Sequence, residues 1–177
     1  MRRVVFVALL RGINVGGKAK VPMAALRDVC ASVGCEDVKT YIQSGNVVLT
    51  SKLTADKLRA ALEEAIAKEF GFNPAVMIRT AKELAAAVDK NPYAGADDKT
   101  VHVGFLHAAP NAATKKCLGA LDCAPEELTV VGRDIYLHLP DGMGRAALPV
   151  QMERCLRPTQ VTVRNWRTVT KLAELAT

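Results

Sequence analysis

The apolar residues of this 177-residue chain change their period in a fixed order, and that order leaves few folds open. Arg3 to Leu10 is a continuous, β-branched run, the pattern of a strand buried on both faces. Met23, Leu26, Val29, Cys30 and Val33 then recur at helical spacing, with Pro22 suited to the first turn and Gly34 as the stop. Asp37 to Gln43 alternates: Val38, Thr40 and Ile42 face one way, Lys39, Tyr41 and Gln43 the other. Ser44-Gly45 turns and Asn46 to Thr50 returns, which makes a hairpin. Thr54 caps a helix with Leu58, Leu62, Ala65 and Ile66 inward, ending near Gly71, and Pro74 to Arg79 is a further short strand. The order is β-α-β-β-α-β, the split βαβ pattern of the ferredoxin-like fold.

The second half repeats it. Thr80 to Glu83 is a capping box that opens a connecting helix through Val88, and Asn91 to Lys99 is a polar linker. Thr100 to His107 reads as a strand, Asn111 to Leu121 as a helix, and Leu128 to Val131 with Ile135 to Leu139 as a hairpin across Gly132-Arg133-Asp134. A helix from about Ala146 to Leu156, a strand from Gln160 to Val163 and a closing helix from Asn165 to Leu175 complete the order, the last with Trp166, Val169 and Leu172 inward. The reading is therefore α+β: two tandem ferredoxin-like units with antiparallel sheets, at residues 1–80 and 100–177, joined by a helix and linker at 81–99. No residue-level repeat is evident between the halves.

This topology places chemistry. In a split βαβ sheet with right-handed crossovers the first two strands run the same way. The end of the first strand, from Arg11 onward, then lies at the same edge as the Ser44-Gly45 turn and the start of the fourth strand near Phe72-Asn73. The loop leaving the first strand, Arg11-Gly-Ile-Asn-Val-Gly-Gly-Lys-Ala-Lys20, holds three glycines, an Asn and three cations. Glycine is cheapest where backbone turns tightly or approaches something closely. Arg11, Asn14, Gly16, Gly17, Lys18, Lys20, Tyr41, Ser44 and Asn46 are accordingly the candidate ligand-binding residues, with Gln43 beside them.

Charge points the same way. Residues 1–80 hold 12 Lys+Arg against 7 Asp+Glu, residues 81–177 hold 12 against 11, and no carboxylate precedes Asp28. The overall charge of +6 is thus concentrated in the N-terminal half, which favours an anionic partner there. Cys30, Cys35, Cys117, Cys123 and Cys155 are an odd set without a C-x-x-C, and read as small core residues of a reducing cytoplasm. Arg2-Arg3 before Val4–Leu10 superficially resembles a signal peptide, but Arg11 interrupts the run and no small-residue cleavage site follows. No segment approaches the ~20 apolar residues of a membrane span. A cytoplasmic chain without a membrane partner is the expectation.

Gly12-x-x-x-x-Gly17-Lys18 matches a Walker A loop until Ala19, where a hydroxyl should hold magnesium. Val21-Pro22 also intervenes before the helix, so a simpler anion site of loop amides with Arg11, Lys18 and Lys20 fits better. Single-stranded RNA needs stacking aromatics on the open sheet face. Tyr41 is the only one on its strand, and Val47, Val48 and Leu49 stand where others belong, so nucleic acid is a possible but not favoured partner. No cofactor, metal cluster or catalytic signature is expected: His102 and His107 face opposite ways, His138 is alone, and a Ser44–Tyr41–Lys18 site has to compete with a turn serine making local hydrogen bonds. Arg164-Asn165-Trp166 is the other unusual triplet. Asn165 can cap the last helix, Trp166 can anchor it, and Arg164 can meet a buried carboxylate or add a cation to the site.

Ala8-Leu-Leu-Arg-Gly-Ile-Asn-Val-Gly-Gly-Lys18, Val21-Pro-Met23, Thr40-Tyr-Ile-Gln-Ser-Gly-Asn-Val-Val48 and Arg164-Asn-Trp-Arg-Thr-Val169 with Lys171-Leu172 resemble the bacterial domain-of-unknown-function 1697 family. The resemblance spans nearly the whole chain and implies tandem ferredoxin-like (α-β plait) units, with no established activity, cofactor or catalytic residue. The family tends to carry a second Thr before the Arg-Asn-Trp triplet where this chain has Val163, which weakens a polar role at that end. The functional expectation is binding of a small anionic or phosphorylated ligand at loop 11–20 beside the Ser44–Asn46 turn. A weak nucleic-acid-binding module and an enzyme with a Ser/Tyr/Lys site are the alternatives, and the oligomeric state is not legible.

Overall fold

A computed structural model describes residues 2–177. Fourteen regular elements follow one another as β1 (Val4–Leu10), α1 (Met23–Ser32), β2 (Glu36–Tyr41), β3 (Asn46–Ser51), α2 (Ala55–Phe70), β4 (Val76–Thr80), α3 (Ala81–Asp89), β5 (Val101–Phe105), α4 (Ala112–Gly119), β6 (Glu127–Val131), β7 (Asp134–His138), α5 (Leu148–Leu156), β8 (Thr162–Asn165) and α6 (Trp166–Leu175). The strands form two four-stranded antiparallel sheets, ordered β2-β3-β1-β4 and β6-β7-β5-β8. The chain divides into one unit of Met1–Ala86 with Leu172–Thr177 and another of Ala87–Lys171.

In the first unit Phe6, Ala8 and Leu10 of β1, Val47 and Leu49 of β3, and Val76 and Ile78 of β4 share a core with Leu26, Val29 and Cys30 of α1 and Leu58, Leu62 and Ile66 of α2. Burying each Val, Leu, Ile or Phe side chain among them contributes about 1.5–3 kcal/mol, which fixes which face of the sheet the helices cover. The residues between them, Val7, Leu9, Val48 and Met77, are buried as well, so β1 is a two-sided strand as its unbroken apolar run requires. In the second unit Ile135, Leu137, Leu139 and Val161 pack with Leu118 of α4 and Leu148, Met152 and Leu156 of α5.

Several details differ from the sequence reading. Pro22 is the residue before α1 rather than in its first turn. β2 stops at Tyr41, and Ile42 is 51% exposed with φ 48°, so it belongs to the turn and does not continue the alternation of Val38 and Thr40. The cysteines are not five core thiols. Cys117 on α4 and Cys155 on α5 form a disulfide with 5.7 Å between their Cα atoms, and the inference of a reducing compartment loses that support.

The halves also share a residue-level feature that sequence comparison does not expose. Arg79 of β4 and Arg164 of β8 are both buried, and each donates from Nη1 to the carbonyl just before it, Ile78 or Val163, at 3.0 Å. Each is followed by a helix with a side-chain cap: Thr80 and Glu83 bond each other's amides, and Asn165 Oδ1 accepts from the Thr168 amide. Each unit's sixth element thus ends in a buried guanidinium and a capped helix.

Candidate functional site

The loop from Arg11 to Pro22 is a miniature hairpin. The Lys18 amide donates to Val15 O and the Asn14 amide to Ala19 O, each at 3.0 Å. Gly16 and Gly17 lie between them with φ 59° and 73°, the left-handed pair a two-residue hairpin turn demands. The glycines therefore set the path of the loop and leave an exposed, basic tip of Val15 to Lys18.

Asn14 ties that tip to the sheet. Its Nδ2 donates to Val21 O at 3.0 Å and to Gln43 O at 2.8 Å, while Oδ1 accepts from the Val21 amide at 2.8 Å. It sits at φ 54°, a conformation Asn tolerates better than most residues. The β1 end, the β2–β3 turn and the β4 start do meet: Leu10 N donates to Gly45 O and Arg11 N to Ala75 O. Gly45 is needed because a Cβ there would stand 2.8 Å from Leu10 Cβ and 2.9 Å from Ile13 Cδ1. Asn46 is fully buried and donates to Tyr41 O and Ser44 Oγ, closing the turn from inside. Asn14, Asn46 and Ser44 are thus fastenings of the site, with their polar atoms bonded to neighbouring chain. Ser44 Oγ accepts from an amide, the local role of a turn serine.

What the assembly leaves open is a cleft of about 310 Å³ lined by Asn14, Gly17, Lys20, Val21, Pro22 and Gln43. It lies at the N-terminus of α1. That terminus has no side-chain cap and no acidic residue in its first turn. The other helices are served: Thr54 accepts from Lys57 N, Asn111 from Thr114 N, and the Glu126 carboxylate from the Ala147 and Leu148 amides that begin α5. The cleft therefore adjoins a helix N-terminus with orphan first-turn amides, and its one ionisable lining residue is the cation Lys20. Lys18 is exposed in the same loop and Arg11 is half-buried at its base.

Elsewhere, burial shifts several titratable groups from their ordinary values. Burial, then the neighbouring Cys35, raises the Cys30 thiol to about 12, and burial raises Cys35 to about 11. Arg164 is brought down to about 10 by burial; its Nη1 donates to Thr162 Oγ1 at 2.7 Å. His138 is not isolated, as its position in sequence suggests. Tyr93, from the linker, stacks on its ring with centroids 5.5 Å apart and shares a 2.7 Å hydrogen bond with Thr129. Nothing in the sequence pairs Tyr93 with His138; the linker brings the tyrosine onto the β6–β7 hairpin. Among the described residues no His/Cys/Asp/Glu group is placed to hold a metal ion, and no helix is long and apolar enough to cross a membrane.

Comparison with known proteins bears on the fold more than on this cleft. A sequence model described as "Protein of unknown function (DUF1697)" matches residues 3–136. Among solved structures the chain is similar to the conserved bacterial protein SP0830 from Streptococcus pneumoniae, with 24% identity, a TM-score of 0.78, and 99% of this chain and 100% of that one covered. No curated protein matches.

Proposed function

The chain belongs to the DUF1697 family, and on that premise we propose that it binds a small anion, a phosphate- or carboxylate-bearing metabolite, at the cleft before α1. The observation that carries this is the uncapped α1 terminus, whose N-cap residue Pro22 lines the cleft together with Lys20. A phosphoryl oxygen there would take the orphan amides of the first turn as donors and Lys20 as counter-charge, a combination that suits an anion without magnesium or a Walker hydroxyl. Lys18 and Arg11 add to the local field and steer the ligand. Catalysis is not part of this reading. The strand order β2-β3-β1-β4, with α1 and α2 packed on one face, supports reading each unit as ferredoxin-like.

The test uses two variants whose effects on binding and stability separate. Lys20→Ala should weaken the binding of inorganic phosphate or a nucleotide, measured by calorimetry, by about 1–3 kcal/mol. Ala24→Asp places a carboxylate in the first turn of α1, where it should stabilise the helix by about 0.3–1 kcal/mol while repelling the anion. Tighter folding with lost binding is the expected result. Binding that survives both variants would remove the site. Binding seen only with oligonucleotides, and lost steeply with salt, would transfer the reading to nucleic acid.

A further inference from the structure

The second sheet ends in a strand that is ready to pair again. β6 is one of its two edges, and its register with β7 runs without a break from Glu127↔His138 to Val131↔Asp134. The two-residue turn Gly132-Arg133, with Gly132 at φ 60°, makes Val131 and Asp134 a hydrogen-bonded pair. Alternation then sends the amides and carbonyls of Glu127, Thr129 and Val131 toward β7 and those of Leu128 and Val130 outward. Among the described residues no bond from another segment reaches these outward groups. The corresponding edge of the first sheet, β2, is handled differently. β2 carries a register shift between Glu36 and Lys39, with Asp37 at φ 51°, and three of its six residues are charged. Bulges and charges are how proteins blunt an edge; β6 has no bulge and no Pro or Lys.

A cleft of about 400 Å³ runs along this edge. Glu127, Leu128 and Thr129 all line it, and since successive strand residues point to opposite faces, it follows the edge and not one face. One wall is apolar: Leu118 and Leu121 at the end of α4, Leu148 at the start of α5, and Leu128 itself. Across the strand stand Thr129 and Tyr93, the tyrosine fixed by its bond to Thr129 and its stacking on His138. The cleft's own lining is acidic in a chain of net +6: it includes Glu126 and Glu127 and no Lys or Arg. Glu126 is occupied with the α5 amides, whereas the Glu127 side chain is 63% exposed, its Oε2 3.9 Å from His138 Nδ1.

We propose that the β6 edge is a docking site for a short extended peptide of a partner protein, alternating apolar and basic residues, which adds to the sheet as a fifth strand. Main-chain bonds to Leu128 and Val130 hold it, its apolar side chains enter the leucine wall, and its basic ones meet Glu127 on the other face. This is separate from the anion cleft, which lies in the other unit.

The test is amide hydrogen exchange by NMR on the full chain. One probe is a six-residue peptide alternating valine and lysine, and the control alternates valine and glutamate. The lysine peptide should slow exchange at Leu128 and Val130 by about 10-fold or more, and the control should not. Glu127→Lys, an exposed change that leaves the core intact, should reverse the preference. No protection, equal protection by both peptides, or protection at β2 instead would overturn the proposal. Protection that rises with protein concentration in the absence of peptide would also overturn it, assigning the edge to a second copy of the chain.

Discussion

The Cys117–Cys155 disulfide allows a prediction whose size follows from the chain itself. It joins α4, a helix of eight residues, to α5, one of nine, across a sequence separation of 38. Helices this short are marginal alone and hold their place through packing and tethers. Closing a loop of that length removes about 4 kcal/mol of unfolded-state entropy at 25 °C in the chain-entropy picture, an upper figure because reduced chains retain some structure. For a chain of this size that corresponds to a fall in Tm of roughly 8–16 °C for Cys117→Ser or Cys155→Ser. Differential scanning calorimetry of each variant, with the parent under reducing and non-reducing conditions, measures it. Alkylation of the unfolded, unreduced parent followed by mass spectrometry should find three modifiable thiols, Cys30, Cys35 and Cys123. Five modified cysteines, or a Tm unmoved by reductant and by either substitution, would refute the bond as a structural element.

His102 is buried with Nδ1 unpaired, and burial holds its pKa below the ordinary 6.5. The unfolded chain then binds a proton the folded one refuses, so the urea midpoint should be at its full value above about pH 6.5 and decline as the pH falls below it; a midpoint rising toward pH 5 would reverse the sign. Gly45→Ala, with φ 87° and a Cβ 2.8 Å from Leu10 Cβ, should cost about 1–3 kcal/mol in denaturant unfolding, and a neutral result would mean the turn relaxes freely. Pro22→Asn supplies α1 with the cap that Asn111 gives α4, and should raise stability by about 0.5–2 kcal/mol while lowering phosphate affinity in calorimetry; stability gained with affinity unchanged would show that the first-turn amides do not bind the anion.

The α+β order of both halves was legible because burial writes its period into sequence: the two-sided β1 reads as an unbroken apolar run, and the one-sided helices as 3.6-residue stripes. The meeting of the β1 loop with the Ser44-Gly45 turn was legible too, since strand direction alone dictates it. What the residues do at that meeting was not. Asn14 and Asn46 look like ligand donors in sequence, and only their bonds to Val21, Gln43, Tyr41 and Ser44 show them spent on the fold. A missing cap is likewise invisible, because Pro22 opens helices in many sequences and its sequence does not say which amides remain unbonded. The disulfide depends on where two helices lie across 38 residues, which no local pattern encodes. Tyr93 and His138 are brought together by the linker folding onto the β6–β7 hairpin, again at long range.

The duplicated plan supplies a comparison inside the molecule. The connection from the first strand to the first helix occurs twice, as Arg11–Pro22 in one unit and Leu106–Asn111 in the other. The second version does the joining in half the length and ends on Asn111, whose Oδ1 accepts from the Thr114 amide 2.8 Å away and closes the helix. A sheet-to-helix crossover of this kind therefore needs neither a glycine hairpin nor a row of cations. The longer version carries both, abandons the cap, and uses Asn14 to hold the excess chain against Val21 and Gln43. Its left-handed residues at Gly12, Asn14, Gly16, Gly17 and Ala19 are disfavoured for any residue with a Cβ, and two of the five have one. A loop kept in that conformation with its helix end bare departs from what the architecture requires in the direction an anion would favour, and that is why the α1 cleft is a better candidate than any other cation-bearing surface of the chain.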